Sequence, residues 1–320
     1  MTPRRRHGRR FRNNYPHDRH SLKAFLKFLW GFQRREYERP PFSKAPNDPA
    51  ALRENRTRPT LTWVGHSTFL VQVDGINVLT DPHFTGRASP LNWAGPERLA
   101  PLGLALTELP PIDVVLISHN HYDHLDEGSV RWLVKHHPHA LFVVPTGVKR
   151  WMQRRRARHI AELAWWESHA DGRCKVTAVP VQHFSGRTAT DRNRTLWCAF
   201  VLEVAGRKVF FAGDSGYSKD FADIGAKFAP MDLALLPIGA YDPRWFMRAM
   251  HVNPEEAVRI HRDIGARQSV AMHWGTFRLT EEPLDEPPRQ LAAALKAAGV
   301  PAEKFWVMQH GETRSLAGIL

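Results

Sequence analysis

The sequence predicts a layered α/β domain. Short apolar strands recur from residue 60 onward, amphipathic helical stretches are interleaved with them, and no glycine-rich phosphate loop marks a nucleotide-binding sheet. With 320 residues, 42% hydrophobic and 24% charged, the chain has an ordinary globular composition and can bury roughly three quarters of its unfolded surface. A collagen-like or wholly disordered protein is excluded. No apolar run approaches the roughly 18 residues that span a bilayer, so an integral membrane protein is not expected. Cys174 and Cys198 are far apart and in no CxxC pair. They build neither a disulfide framework nor a thiolate zinc finger and fit a reducing, cytoplasmic location.

The net charge of +13 is concentrated at one end. Residues 1–40 hold twelve Lys or Arg against Asp18, Glu36 and Glu38, a net +9, and the remaining 280 residues carry +4. Residues 1–20, with Arg4-Arg5-Arg6, Arg9-Arg10 and Arg12, have almost no apolar partners and are expected to be a disordered basic tail. From Ser21 the pattern becomes helical: Leu22, Phe25, Leu26, Leu29 and Trp30 share a stripe, with Lys23, Lys27, Arg34 and Arg35 opposite. Such a helix suits either packing on the body or, through residues 21–36, peripheral contact with an anionic membrane. Proline-rich residues 40–58 read as a linker, giving an amphipathic helix and linker over 21–58 and a catalytic body over 59–320.

Strands are expected at TLTWV, STFLVQV and INVLT, the last two joined by Asp74-Gly75, a dipeptide suited to a tight hairpin. Further strands are DVVLIS, ALFVVP, KVTAVPV, LWCAFVLEV, KVFFAG, LALLPI, SVAMH and KFWVMQ. Helices are expected near 127–137, 146–155, 218–226, 253–264 and 287–298. At the fourth of these, Asn253, Pro254 and Glu256 form a capping-box signature.

Ser118-His119-Asn120-His121-Tyr122-Asp123-His124 directly follows the apolar strand VVLIS. Four potential ligands within six positions would be costly to bury unless something satisfied them, and a metal does so. Imidazoles and carboxylates without thiolate suit Zn²⁺ or another first-row divalent cation. One zinc takes three protein ligands and keeps a position for water, so this cluster with distant partners implies two ions. His183, Asp214 and His273 each close an apolar strand and would gather on one rim. Taken singly, each also reads as a hydrogen-bonded core residue.

The ordered pattern HxHxDH, His, Asp, His resembles the metallo-β-lactamase superfamily. The resemblance implies a four-layer αββα sandwich with a dinuclear site on the sheet rim. It implies His119, His121 and His183 on one ion, Asp123, His124 and His273 on the other, and Asp214 bridging them. WVGHSTFLV, SHNHYDHLD, FAGDSGY, PRWFMRAMHVNPEEAVRIH and MHWGTF are further similar to the N-acylphosphatidylethanolamine-hydrolysing phospholipase D branch. That likeness implies a zinc phosphodiesterase releasing phosphatidic acid and an N-acylethanolamine. Two cations would bring a bridging water toward neutral pKa and neutralise a phosphate.

Asp123, Asp214 and His251 are the expected catalytic residues, with His251 donating to a phosphoryl oxygen or the departing alkoxide, or else purely structural. Arg187 is read as a phosphate clamp or an ion-paired surface residue. Trp165, Trp166, Phe246 and Met247 line an acyl groove or belong to the core. His66 has no ligand role and reads as a supporting residue. The expected partners are a phospholipid substrate and an anionic membrane surface. A homodimer is allowed, and nucleic acid is not expected because basic residues are not interleaved through the body. Alternative activities are lactone or other ester hydrolysis and an RNA-processing nuclease of the same superfamily.

Overall fold

Alternation along the strands decides the layers. Leu70, Leu79, Val115 and Val144 turn to one face and pack against helices, whereas their neighbours Val71, Val78, Val114 and Val143 turn to the other and meet a second sheet. The computed structural model describes residues 10–18, 21–34 and 39–320. Expectations for residues 1–9, 19–20 and 35–38, including Arg4–Arg6, Arg9 and Arg35, lie outside the described residues.

The first sheet holds, in spatial order, β14 (Thr313–Ser315), β1 (Thr60–Gly65), β2 (Thr68–Val73), β3 (Ile76–Thr80), β4 (Val114–Leu116), β5 (Leu141–Pro145) and β6 (Ile160–Leu163). The second holds β13 (Phe305–Trp306), β12 (Ala266–Met272), β11 (Met231–Pro237), β10 (Arg207–Phe211), β9 (Ala199–Val204), β8 (Cys174–Val179) and β7 (Ser168–Ala170). Helices α3 (Glu127–His136) and α4 (Lys149–Gln153) cover the outer face of the first sheet through Val130, Leu133 and Met152. Helices α5 (Asp220–Phe228), α7 (Pro254–Asp263) and α8 (Glu286–Ala298) cover the second through Ile224, Ile260 and Leu295. The result is the expected αββα sandwich.

Strand direction puts the chemistry on one rim. β8 and β10 each run antiparallel to β9, so they are parallel to each other, and β10, β11 and β12 are parallel neighbours. The residues that follow β8, β10 and β12 therefore emerge at the same edge, and these are His183, Asp214 and His273. In the first sheet β3 and β4 are parallel, so Asp81 and His119 emerge together. Gly213 lets Asp214 approach: its φ is +57°, and a Cβ there would lie 2.6 Å from the Ser118 Cβ. The α7 cap forms as expected, with Asn253 Oδ1 accepting from the Glu256 N–H at 3.0 Å and Glu256 Oε2 accepting from the Asn253 N–H at 3.3 Å.

Two expectations about the leading segment are corrected. Residues 10–18 are not a loose tail but lie along the body, with Phe11 buried beside the second sheet. Residues 40–58 are not a free linker. Asp48 caps α2 (Pro49–Glu54), Leu52 packs under the first sheet, and Asn47 donates to the carbonyls of Gly103 and Gly311. Helix α1 (Leu22–Arg34) forms where the sequence places it. The short edge strands β6, β7 and β14 and the one-turn helix α6 (Arg244–Met247) carry too little periodicity to be read from sequence.

Candidate metal centre

The loop after β4 curls back so that the four side chains of HxHxDH converge with residues from the second sheet. His119, His121, His183 and Asp214 each offer a ligand atom within 4.8 Å of the others, and so do His66, Asp123, His124 and His273. Between the groups, Asp214 lies 3.0 Å from His124 Nε2 and 3.1 Å from His273 Nε2, and 3.8 Å from both His119 and His183 Nε2. The structure thus brings together all seven residues singled out as ligands, in two groups that meet at Asp214, and adds His66 to the second.

The donor set fits cations. His124 Nε2, His273 Nε2, Asp214 Oδ1 and His251 Nδ1 are buried close to one another yet without an aligned hydrogen bond, a costly arrangement that a divalent ion would satisfy. His119 Nε2 and His183 Nε2 face His121 Nδ1 at 2.8 and 3.3 Å, three ring nitrogens aimed at one another. Outside the cluster, the rings are steered by fixed partners. His183 Nδ1 donates to the Met250 carbonyl at 2.8 Å, leaving Nε2 to face inward. His124 Nδ1 meets Asp81 Oδ2 at 2.6 Å, and Asp81 accepts from the Ser118 backbone N–H at 2.7 Å.

Electrostatics separate the groups. Burial holds His119 well below the usual histidine range and pushes His121 down to about 4 and His183 to about 3, so their nitrogens present lone pairs. Burial also opposes charge on His124 and His273, but the surrounding carboxylates outweigh it, lifting His124 well above the usual range and His273 to about 9. Burial of Asp123 and Asp214 is outweighed in turn by His124 and the other imidazoles, which hold both carboxyls well below their usual range. Two buried carboxylates that draw protons onto neighbouring rings mark a place built for positive charge.

His251 stands at the cluster's edge, Nδ1 3.9 Å from Asp214 Oδ2, and burial lowers its pKa to about 3. It faces a cavity of about 1150 Å³ that opens from the cluster and is walled by Phe25, Phe28, Phe246 and Met247, with Arg10 and Arg192 on its rim. Phe246 and Met247 line it and also pack with Phe28 in a small buried cluster. Trp165 and Trp166 do not, which corrects the groove reading. Trp165 is buried between the sheets, donating to the Trp197 carbonyl at 2.6 Å, and Trp166 packs under Lys227. Arg187 does reach the cavity wall, but its Nη1 is bonded to the carbonyls of Asn120 and Leu125 at 3.1 and 2.7 Å while the guanidinium stacks on Tyr122. It braces the ligand loop.

Sequence reasoning missed Asp81. Its signal was present, a lone acidic residue closing the apolar strand INVLT in the way Asp214 closes KVFFA. His66 stands beside the second group as a supporting residue would: its Nε2 sits 3.0 Å from Asp123 Oδ2 and its carbonyl accepts from the His273 N–H at 3.1 Å.

This fold and site define a metal-dependent hydrolase, and the chain belongs to the metallo-β-lactamase superfamily, whose β-lactamase superfamily domain model matches residues 76–274. Within it the chain resembles the N-acylphosphatidylethanolamine-hydrolysing phospholipases D. It is 39% identical over 247 residues to N-acyl-phosphatidylethanolamine-hydrolyzing phospholipase D 1 of Caenorhabditis elegans, covering 74% of this chain and 69% of the relative. An uncharacterised protein of Mycobacterium tuberculosis is 42% identical over 283 residues, 87% of this chain and 74% of its own. Among solved structures, a possible metal-dependent hydrolase from Veillonella parvula superposes with a TM-score of 0.65 at 16% identity, covering 81% of this chain and 100% of that one, a likeness of fold.

Proposed function

We propose that this protein is a zinc-dependent phosphodiesterase of phospholipase D type that hydrolyses N-acylphosphatidylethanolamine to phosphatidic acid and an N-acylethanolamine. The observation that carries the reading is the apolar wall of Phe25, Phe28, Phe246 and Met247 rising directly from the His/Asp cluster. Acyl chains can lie against it while a phosphodiester reaches the cluster. The relative from C. elegans, named for this reaction, supports the substrate.

His119, His121 and His183 would hold one ion, Asp123, His124 and His273 the other, with Asp214 between them. Zinc suits these donors and supplies Lewis acidity and an activated water at neutral pH. Asp214 positions the attacking water for approach to phosphorus opposite the ethanolamine oxygen. As the new P–O bond forms, the P–O bond to that oxygen breaks, and the proton given up by the attacking water passes to the departing alkoxide. His251, kept neutral by burial, donates a hydrogen bond to a phosphoryl oxygen.

Access to lipid is through α1. Phe25, Leu26 and Trp30 are exposed along it beside Trp245 of α6, and Lys27 Nζ lies 4.8 Å above the Trp245 ring. Aromatic and basic groups at the cavity mouth suit a peripheral seat on an anionic phospholipid surface. The test is metal analysis paired with turnover of N-acylated phospholipid in mixed micelles. Two zinc ions per chain with release of N-acylethanolamine are expected. Two zinc ions with turnover of a lactone and none of the diester would overturn the substrate.

A further inference from the structure

The ligand His183 is gripped from outside its own element by a residue near the amino terminus. Asn13 Nδ2 donates to the His183 carbonyl at 3.0 Å, and Asn13 Oδ1 accepts from the His183 backbone N–H at 3.1 Å and from the Trp197 indole N–H at 3.1 Å. One carboxamide therefore closes both backbone groups of a single residue and ties them to a buried ring. Pairing with a neighbouring strand does not do this for His183, since β8 ends at Val179.

The segment carrying Asn13 is itself anchored on both sides. Phe11 is buried, its N–H donates to the Asn193 carbonyl at 2.8 Å, and the Asn193 side chain returns a bond to the Phe11 carbonyl at 3.3 Å. On the far side Asn14 Nδ2 donates to Asp220 at 2.9 Å, and the Tyr15 hydroxyl donates to Asp223. Anchors at both ends leave the intervening carboxamide little freedom.

We infer that residues 11–15 form a clasp in which Asn13 is a positioning residue for the His119, His121 and His183 ion. It fixes the His183 backbone while Met250 fixes its ring. The inference rests on the reading of the His/Asp cluster as a two-ion site. Partners that orient a ligand typically contribute 10- to 100-fold in metal affinity. Loss of Asn13 should therefore fall on one ion and spare the other, which Asp123 and His124 of the loop after β4 and His273 after β12 would hold without any contact to Asn13.

The experiment titrates the metal-stripped full chain and its Asn13→Ala and Asn13→Asp variants with Co²⁺, following visible absorption and the shifted ring N–H resonances of the bound histidines. Asn13→Asp keeps the acceptor and removes the donor to the His183 carbonyl, providing a variant that folds if Asn13→Ala does not. The expected result is two cobalt equivalents in the parent chain, and in the variants one equivalent weakened about 10-fold or more, with the His183 resonance shifted or lost. Two equivalents bound with parental affinity, or both weakened alike, would overturn the clasp. Failure of the parent chain to bind cobalt would instead overturn the two-ion reading.

Discussion

His310 illustrates how a single buried ring ties stability to acidity. It stacks on Trp63 at 4.2 Å between centroids, and its Nε2 lies 3.0 Å from Thr276 Oγ1, whose hydroxyl also receives the His66 N–H. Burial, aided by the Arg98 charge, lowers its pKa to about 3. The folded ring stays neutral where the unfolded one, near 6.5, takes up a proton. Its contribution is thus complete above pH 6.5 and is lost as pH falls toward 3. Urea unfolding of the parent chain and His310→Asn at pH 7.5, 6 and 5 should show the gap between them narrowing with acid. A gap that widens would contradict a depressed pKa. At this scale the sequence shows what is local. HxHxDH is legible because its members are packed into one loop, whereas Asp81 and Asn13 act on residues 43 and 170 positions away, a relation only the folded chain creates.

Helix α1 shows why element-level reading left two options open. Its apolar stripe is split: Phe28 is buried and stacks on Phe246 at 4.7 Å, while Phe25, Leu26 and Trp30 face outward. Periodicity reveals a stripe but not how much of it a body elsewhere in the sequence will cover. Burying a Leu or Trp side chain in lipid is worth roughly 1.5–3 kcal/mol. Leu26→Asp or Trp30→Asp should therefore lower partitioning onto phosphatidylserine vesicles by about tenfold or more and raise KM on vesicles, while leaving turnover of a short soluble diester intact. Unchanged sedimentation with vesicles would remove α1 from the docking surface. By contrast the start of α7 is legible to the residue, because its capping box is a local pair of hydrogen bonds.

Across the molecule the two sheets repeat one plan. Each begins with antiparallel strands and passes to parallel ones, at β3 to β4 and at β10 to β11, so Asp81 and Asp214 occupy corresponding places in the two halves. No sequence repeat betrays this, since burial constrains the strands only to be apolar. The rim between the halves gathers buried imidazoles and carboxylates that are mutually costly without added positive charge. Removing metal with EDTA should lower the melting temperature, because an ion present at 100 times its Kd stabilises by about 2.7 kcal/mol. Calorimetry before and after zinc is restored checks this, and an unaltered melting temperature would speak against a metal-stabilised rim.

Asn13 meets His183 across 170 residues and Tyr15 meets Asp223 across 208. During synthesis these leading residues leave the ribosome long before the second sheet exists to receive them. Completion of the centre is therefore deferred until most of the polypeptide has emerged, and a nascent chain stalled short of Asp223 would lack both this anchor and the still later His273 ring.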